Sequence, residues 1–400
     1  MKHFTFFIFS LLITFSLQSQ TWTQIGQDID GEATGDRSGN SVCLSSNGSI
    51  VAIGARNNGG NGTNAGHVRV YQNQGGTWTQ IGTDINGEAA GDMFGTSVSL
   101  SSDGSIVAIG GPGNDGNGNS AGHVRVYQNQ GGTWMQIGED IDGEDEYDNS
   151  GWSVSLNSDG SIIAIGATHN DGNGEDAGHV RIYENIEGVW TQIGSDIDGE
   201  SAGDFSSYSV NLSSDGLIVA IGAPDNSGNG GMSGHVRIYQ NQGGTWIKVG
   251  EDIDGEAWGD RSGSSVSLSS DGSIVAVGAS ENGENGAYSG HVRIYQNQGG
   301  TWTQLGADID GEAEGDYSGT YVNLSSDGSI IAIGAPYNDG NGSNSGHVRI
   351  YQNQGGIWTQ LGQDIDGEAA NNLSGSVSIS SGGSIVAVGA GNNDGNGADA

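Results

Sequence analysis

The chain has 400 residues, 76 of them Gly and 3 Pro, and its 48 acidic against 11 basic residues leave a formal charge of −37. So negative a surface repels phosphate backbones and anionic headgroups, which excludes nucleic acid and anionic membranes as partners. Cys43 is the single cysteine, so neither an intramolecular disulfide nor a multi-cysteine metal site can form.

At the N-terminus Lys2 precedes an apolar run from Phe4 to Leu17, and Ser19 offers a small residue before Gln20. Residues 1–19 read as a signal peptide, too short and too early for a membrane span. The expectation is a secreted or cell-surface protein with no transmembrane segment after its removal.

From residue 20 to residue 400 one unit recurs. Trp22, Trp78, Trp134, Trp190, Trp246, Trp302 and Trp358 stand 56 residues apart, and His67, His123, His179, His235, His291 and His347 keep the same interval within Gly-His-Val-Arg. The second copy reads as four strands, Ser97 to Leu100, Ser105 to Gly110, His123 to Gln128 and Thr133 to Ile137. Asp103-Gly104 and Gln130-Gly131-Gly132 are hairpin turns, so neighbouring strands run antiparallel. A four-stranded unit in tandem copies cannot bury its faces alone and must shield them against its neighbours.

These features predict an all-β, seven-bladed β-propeller of four-stranded blades, its last repeat incomplete. The N-terminal strand Thr21 to Ile25 is expected to close the ring, with the missing third strand of the last repeat just beyond Ala400. Asn114-Asp115-Gly116-Asn117-Gly118 resembles a turn of the nonapeptide calcium β-helix, but that architecture repeats every nine residues and this segment returns every 56.

Strand order sends the loops after the second strands and the crossovers between units to one face, which collects most of the acid. The crossovers carry Asp28, Asp30, Glu32 and Asp36; Asp196, Asp198, Glu200 and Asp204; Asp252, Asp254, Glu256 and Asp260; and Asp308, Asp310, Glu312 and Asp316. Oxygen-rich loops with Gly at sharp turns suit Ca²⁺, the one cofactor to which the sequence points, although EF-hand spacing is absent. The competing reading is a solvated rim in which the first Asp caps a turn and the Ile packs inward.

The arginines from Arg69 to Arg349 recur once per unit and are expected to pair with carboxylates between blades. The recurring His and Trp residues are expected to be structural for the same reason. Departures from the repeat are where a ligand-binding role would show, and Trp152, Trp258, Tyr147 and Tyr288 are the aromatic candidates, with His169 and Arg56 as further irregular residues.

Gly91-Asp92-Met93-Phe94-Gly95-Thr96-Ser97-Val98, with Gly222-Ala223-Pro224 and Gly334-Ala335-Pro336, resembles the two halves of an FG-GAP repeat as found in integrin α-chain propellers. The Phe is replaced in other copies, as in Arg37-Ser38-Gly39 and Tyr317-Ser318-Gly319, and Gly110-Gly111-Pro112 varies the second half. The Asp-rich calcium loop of those integrin blades has only Ser101-Ser102-Asp103-Gly104-Ser105 in its place. The resemblance implies an extracellular recognition or adhesion module for a protein or polysaccharide.

No Gly-x-Ser-x-Gly elbow in a strand-turn-helix setting, His-Glu-x-x-His or Gly-Lys-Ser occurs, and near-identical copies do not converge unlike groups on one point. The expectation is therefore no catalytic residues and no enzyme. The alternative is a carbohydrate-active propeller hydrolase or lyase.

Overall fold

The computed structural model describes residues 21–393 and 395. The expected signal peptide lies outside them, as does the strand expected beyond Ala400. No helix among the described residues is long and apolar enough to cross a membrane.

The second unit shows how a sheet is built. Ser97–Leu100 lies innermost, followed outward by Ile106–Gly111 and His123–Asn129. The outer edge is divided between Trp134–Gln136 and Ile141–Asp142, both antiparallel to His123–Asn129. Between them the chain steps away from the edge, and Ile141 then returns as a buried anchor. The step depends on Gly138, whose φ of +75° and approach to the Gly188 carbonyl, 2.8 Å from where a Cβ would sit, leave no place for a side chain.

Six such sheets span residues 38–86, 97–142, 150–198, 209–254, 262–310 and 321–366. Each has five strands, not the four expected, because the two-residue segment of the crossover rejoins the edge. The last repeat contributes only Ser374–Ile379 paired with Val386–Ala390. Seven four-stranded blades are thus corrected, among the described residues, to six five-stranded blades and a two-stranded sheet.

The N-terminal strand also needs correction. Residues 21–25 form no strand, having no third strand to pair with among the described residues. Side chains do the holding instead: Trp22 donates Nε1–H to the Leu361 carbonyl at 2.8 Å and, with Val377, Val386 and Val388, packs against the buried cluster of Ala332, Val348, Ile350 and Ile379. Ile29 packs with Ile385 and Ala387 on the way to the first blade.

The core lies between sheets. Ala52, Val68 and Val70 of the first blade meet Leu100, Val107 and Ile109 of the second in one buried cluster, and equivalent clusters recur around the molecule. Burying both faces of a sheet selects small and β-branched residues with no polar face.

Backbone bonds tie the first hairpins into a closed circuit. Ser46 donates to Ser102, Ser102 to Ser158, Ser158 to Ser214, Ser214 to Ser270, Ser270 to Ser326, Ser326 to Ser381, and Ser381 back to Ser46, all at 2.8–3.0 Å. A second set joins first strands, as where Leu156 N–H donates to Ser99 Oγ at 2.9 Å; at the equivalent place Leu100 N–H meets Cys43 Sγ at 3.3 Å. Cys43 therefore fills a serine position in the strand, and burial pushes its thiol pKa up.

Candidate functional site

The third strands place His and Arg on one face, where they meet the crossover arriving from the preceding blade. Arg125 Nη2 donates to the Asn86 carbonyl at 2.9 Å and Nη1 lies 3.4 Å from Glu88. The pattern repeats at Arg69, Arg181, Arg237, Arg293 and Arg349, each 3.4–3.9 Å from a crossover glutamate. The histidines are buried beside these guanidiniums. Burial and then the neighbouring arginine push His179 and His235 down to about 4, so these imidazoles are neutral near pH 7.

The four acidic positions of each crossover perform four different tasks. The first carboxylate takes a hydrogen bond from the side chain four residues upstream: Gln24 to Asp28, Gln192 to Asp196, Lys248 to Asp252 and Gln304 to Asp308. At the second, the backbone carbonyls of Asp30, Asp198, Asp254 and Asp310 accept from the arginines while the side chains are exposed. The glutamates Glu32, Glu200, Glu256 and Glu312 face those arginines. The fourth residues, Asp36, Asp204, Asp260 and Asp316, are buried and accept a backbone N–H three residues upstream, closing the turn.

The groups of His, Asp and Glu that do converge are drawn from two successive crossovers and one third strand. Glu200, His235 and Asp252 form one such group. Sequence spacing places these donors far apart, and only strand order brings them together.

Shallow cavities of about 300–370 Å³ open between neighbouring outer edges. One is lined by Asp252, Ile253, Asp254, Tyr295 and Trp302. The periodic tryptophans are structural here: Trp302 donates Nε1–H to the Val249 carbonyl at 2.9 Å, and all seven make the equivalent bond to the neighbouring outer edge.

The aromatic departures behave differently. Trp258 is 75% exposed against Gly231, and Tyr288 is 49% exposed. Tyr288 stacks on Tyr317 with ring centroids 5.5 Å apart and planes 8° from parallel, and Tyr317 also meets Tyr337 at 5.0 Å. Three residues after Trp258, Arg261 pairs with Asp225 and, at 3.1 Å, with Glu281. Tyr147 is exposed elsewhere on the same loop face, whereas Trp152 is half-buried against Tyr208 at 5.7 Å.

The other irregular residues also find neighbours. His169 packs edge-on to Phe205 at 5.1 Å, and Arg56 is half-buried with its pKa lowered by burial and by Arg37. Tyr337 escaped the reading of the sequence, and Tyr317 entered it only as part of a repeat variant and not as a ligand-binding candidate. Comparing each position across the repeats would have found them, because Tyr317 stands where other copies have Arg37 or Met93, and Tyr337 where they have Asn57 or Gly113.

The circuit of sheets around a common axis defines a β-propeller. Residues 86–127 match the FG-GAP repeat family, and that segment lies within one period of the 56-residue repeat. The chain is a β-propeller that matches the FG-GAP repeat over residues 86–127.

Among solved structures, a hydrazine synthase of Kuenenia stuttgartiensis is similar at 12% identity and TM-score 0.54, covering 91% of this chain and 97% of that one. A putative 6-phosphogluconolactonase of Bacteroides uniformis is similar at 11% identity and TM-score 0.57, covering 88% of each. The periplasmic gluconolactonase of Pseudomonas aeruginosa is similar at 16% identity and TM-score 0.55, covering 82% and 85%. These likenesses concern the fold. No curated protein sequence matches the chain.

Proposed function

We propose that this propeller is an exported, non-enzymatic recognition module whose loop face binds a polysaccharide through the Trp258 and Tyr288–Tyr317–Tyr337 ledge. The observation that carries the reading is the exposure of Trp258, Tyr288 and Tyr337, with the half-buried Tyr317 ring against both tyrosines, at positions the repeat does not require, since Trp258 is 75% exposed while the periodic tryptophans are half-buried. Flat aromatic faces beside hydrogen-bonding groups suit sugar rings, which present C–H patches and hydroxyls, and Arg261, Asp225 and Glu281 supply the polar groups. The signal peptide read in residues 1–19 supports delivery to the outside, where such polymers occur. The reading requires no Ca²⁺, because the repeated acidic quartets have other tasks.

The test is affinity electrophoresis against neutral and acidic polysaccharides, with Trp258→Ala and Tyr317→Ala compared with the parent, and with Ca²⁺ or chelator present. Retardation that both substitutions abolish, at unchanged circular dichroism, is the expected result. Retention of a folded protein partner in place of every glycan would replace polysaccharide by protein. Release of reducing ends or unsaturated products would replace the recognition module by an enzyme.

A further inference from the structure

One of the repeated His-carboxylate groups differs from the others. In the fifth blade Glu256 from the incoming crossover, His291 from the third strand and Asp308 beyond the outer strand are joined by Glu284 from the loop after the second strand. One donor atom from each lies within 4.8 Å of every other. The position of Glu284 is occupied by Gly60, Gly116, Gly172, Gly228 and Gly340 in the other blades, so the fourth donor is a departure from the repeat.

The independent sign of a ligand is His291. Its side chain is 1% exposed, neither ring nitrogen has a hydrogen-bond partner, and Nδ1 faces Asp308 Oδ2 at 3.9 Å. A buried imidazole with nothing bonded to it incurs desolvation without compensation, and an ion at Nδ1 would supply it. The electrostatics agree. Three carboxylates against Arg293, which lies 3.4 Å from Glu256, leave a local charge of −2 around a neutral imidazole, and one divalent cation balances it.

We infer that Glu256, Glu284, His291 and Asp308 form a binding site for a divalent transition metal of the Zn²⁺ type. One imidazole nitrogen with carboxylate oxygens is a borderline donor set that suits Zn²⁺ or Co²⁺, whereas Ca²⁺ takes six to eight oxygens. Ligand bonds of about 2.1 Å put tetrahedral donors about 3.4 Å apart. The observed spread closes to that by rotation of the two exposed glutamates and by an approach of about 0.5 Å between His291 Nδ1 and Asp308 Oδ2, which stand 3.9 Å apart. The site is separate from the aromatic ledge and stands whether or not a polysaccharide binds there.

The test is calorimetric titration of the chelator-treated protein with Zn²⁺, followed by Co²⁺ absorption spectroscopy. One site per chain, unaffected by millimolar Ca²⁺ or Mg²⁺, is expected, with visible Co²⁺ bands that indicate tetrahedral coordination. Glu284→Gly installs the residue that five other blades carry, so it folds, and it is expected to weaken Zn²⁺ at least tenfold. Asp308→Asn, which keeps the shape of the side chain, is expected to weaken it similarly. Absence of Zn²⁺ heat, or equal affinity in the Glu284→Gly protein, would overturn the assignment. So would several equivalent sites, since these would belong to the three-donor groups.

Discussion

A methyl group placed on Gly111 would lie 3.2 Å from the edge of the Phe94 ring, and Gly111 stands where five other blades have Ala55, Ala167, Ala223, Ala279 and Ala335. Phe94 in turn occupies the position of Ser38, Ser150, Ser206, Ser262 and Ser318, and its buried ring lies 4.4 Å from the Arg125 guanidinium. The large residue and the missing methyl are complementary. Phe94→Ser should cost about 3 kcal/mol in the cavity it leaves, and Gly111→Ala about 1–3 kcal/mol by overpacking. The double variant restores the Ser/Ala pair of the other blades, so urea denaturation should show a coupling of about 1 kcal/mol or more. Strict additivity would contradict the packing argument.

Close packing of adjacent blades predicts a contrast between two glycines. A Cβ on Gly110 would overlap the carbonyl oxygen of Gly151 in the next blade, a rigid backbone atom, whereas Gly131 has nothing within 4 Å and only its φ of +64° to satisfy. Gly131→Ala should therefore cost about 1 kcal/mol, and Gly110→Ala at least about 2 kcal/mol. Thermal melts of the two proteins decide it, and equal losses would remove the steric explanation.

Buried neutral histidines make stability depend on pH. His179 and His235 are pushed down to about 4, chiefly by burial, and His67, His291 and His347 shift the same way. The unfolded chain takes up these protons first, near the ordinary value of about 6.5. Their contribution is thus fully present above that pH and is lost as pH falls toward about 4. In metal-free protein the melting temperature should decline from pH 7 to pH 5, and less so for His179→Gln. A melting temperature that is flat over that interval would rule the effect out.

Closure by a side chain gives a fourth prediction. Trp22→Ala removes the bond to Leu361 and the packing against the cluster that includes Ile379, which should cost about 2 kcal/mol for a half-buried ring. Hydrogen exchange should quicken first in residues 374–379 and 386–390, the two-stranded sheet whose Ile379 shares that cluster. Uniform quickening across all sheets would mean that the segment is no local clamp.

The 56-residue period made the propeller legible, because each Trp, His and Arg meets the same neighbours in successive blades and needs the same side chain. Ile141-Asp142 was not legible as a strand, since two residues carry no alternation and the flanking Gly and Asp signal a loop. Thr21 to Ile25 resembles the outer strands in sequence, but strand formation is a property of a pair, and its partner lies outside the described residues. Trp258 and Tyr288 stood out as irregular aromatics, whereas Glu284 was hidden among 48 acidic residues until the fold placed it beside His291.

The serine circuit from Ser46 through Ser381 and back has no first or last member. It acts as a hoop, so a load applied to one hairpin is shared around the circumference. Nicking the chain at a peripheral turn such as Gln130-Gly131 and joining new ends elsewhere would leave that hoop uncut. The order in which the segments are synthesised is therefore separable from the mechanical integrity of the finished disc.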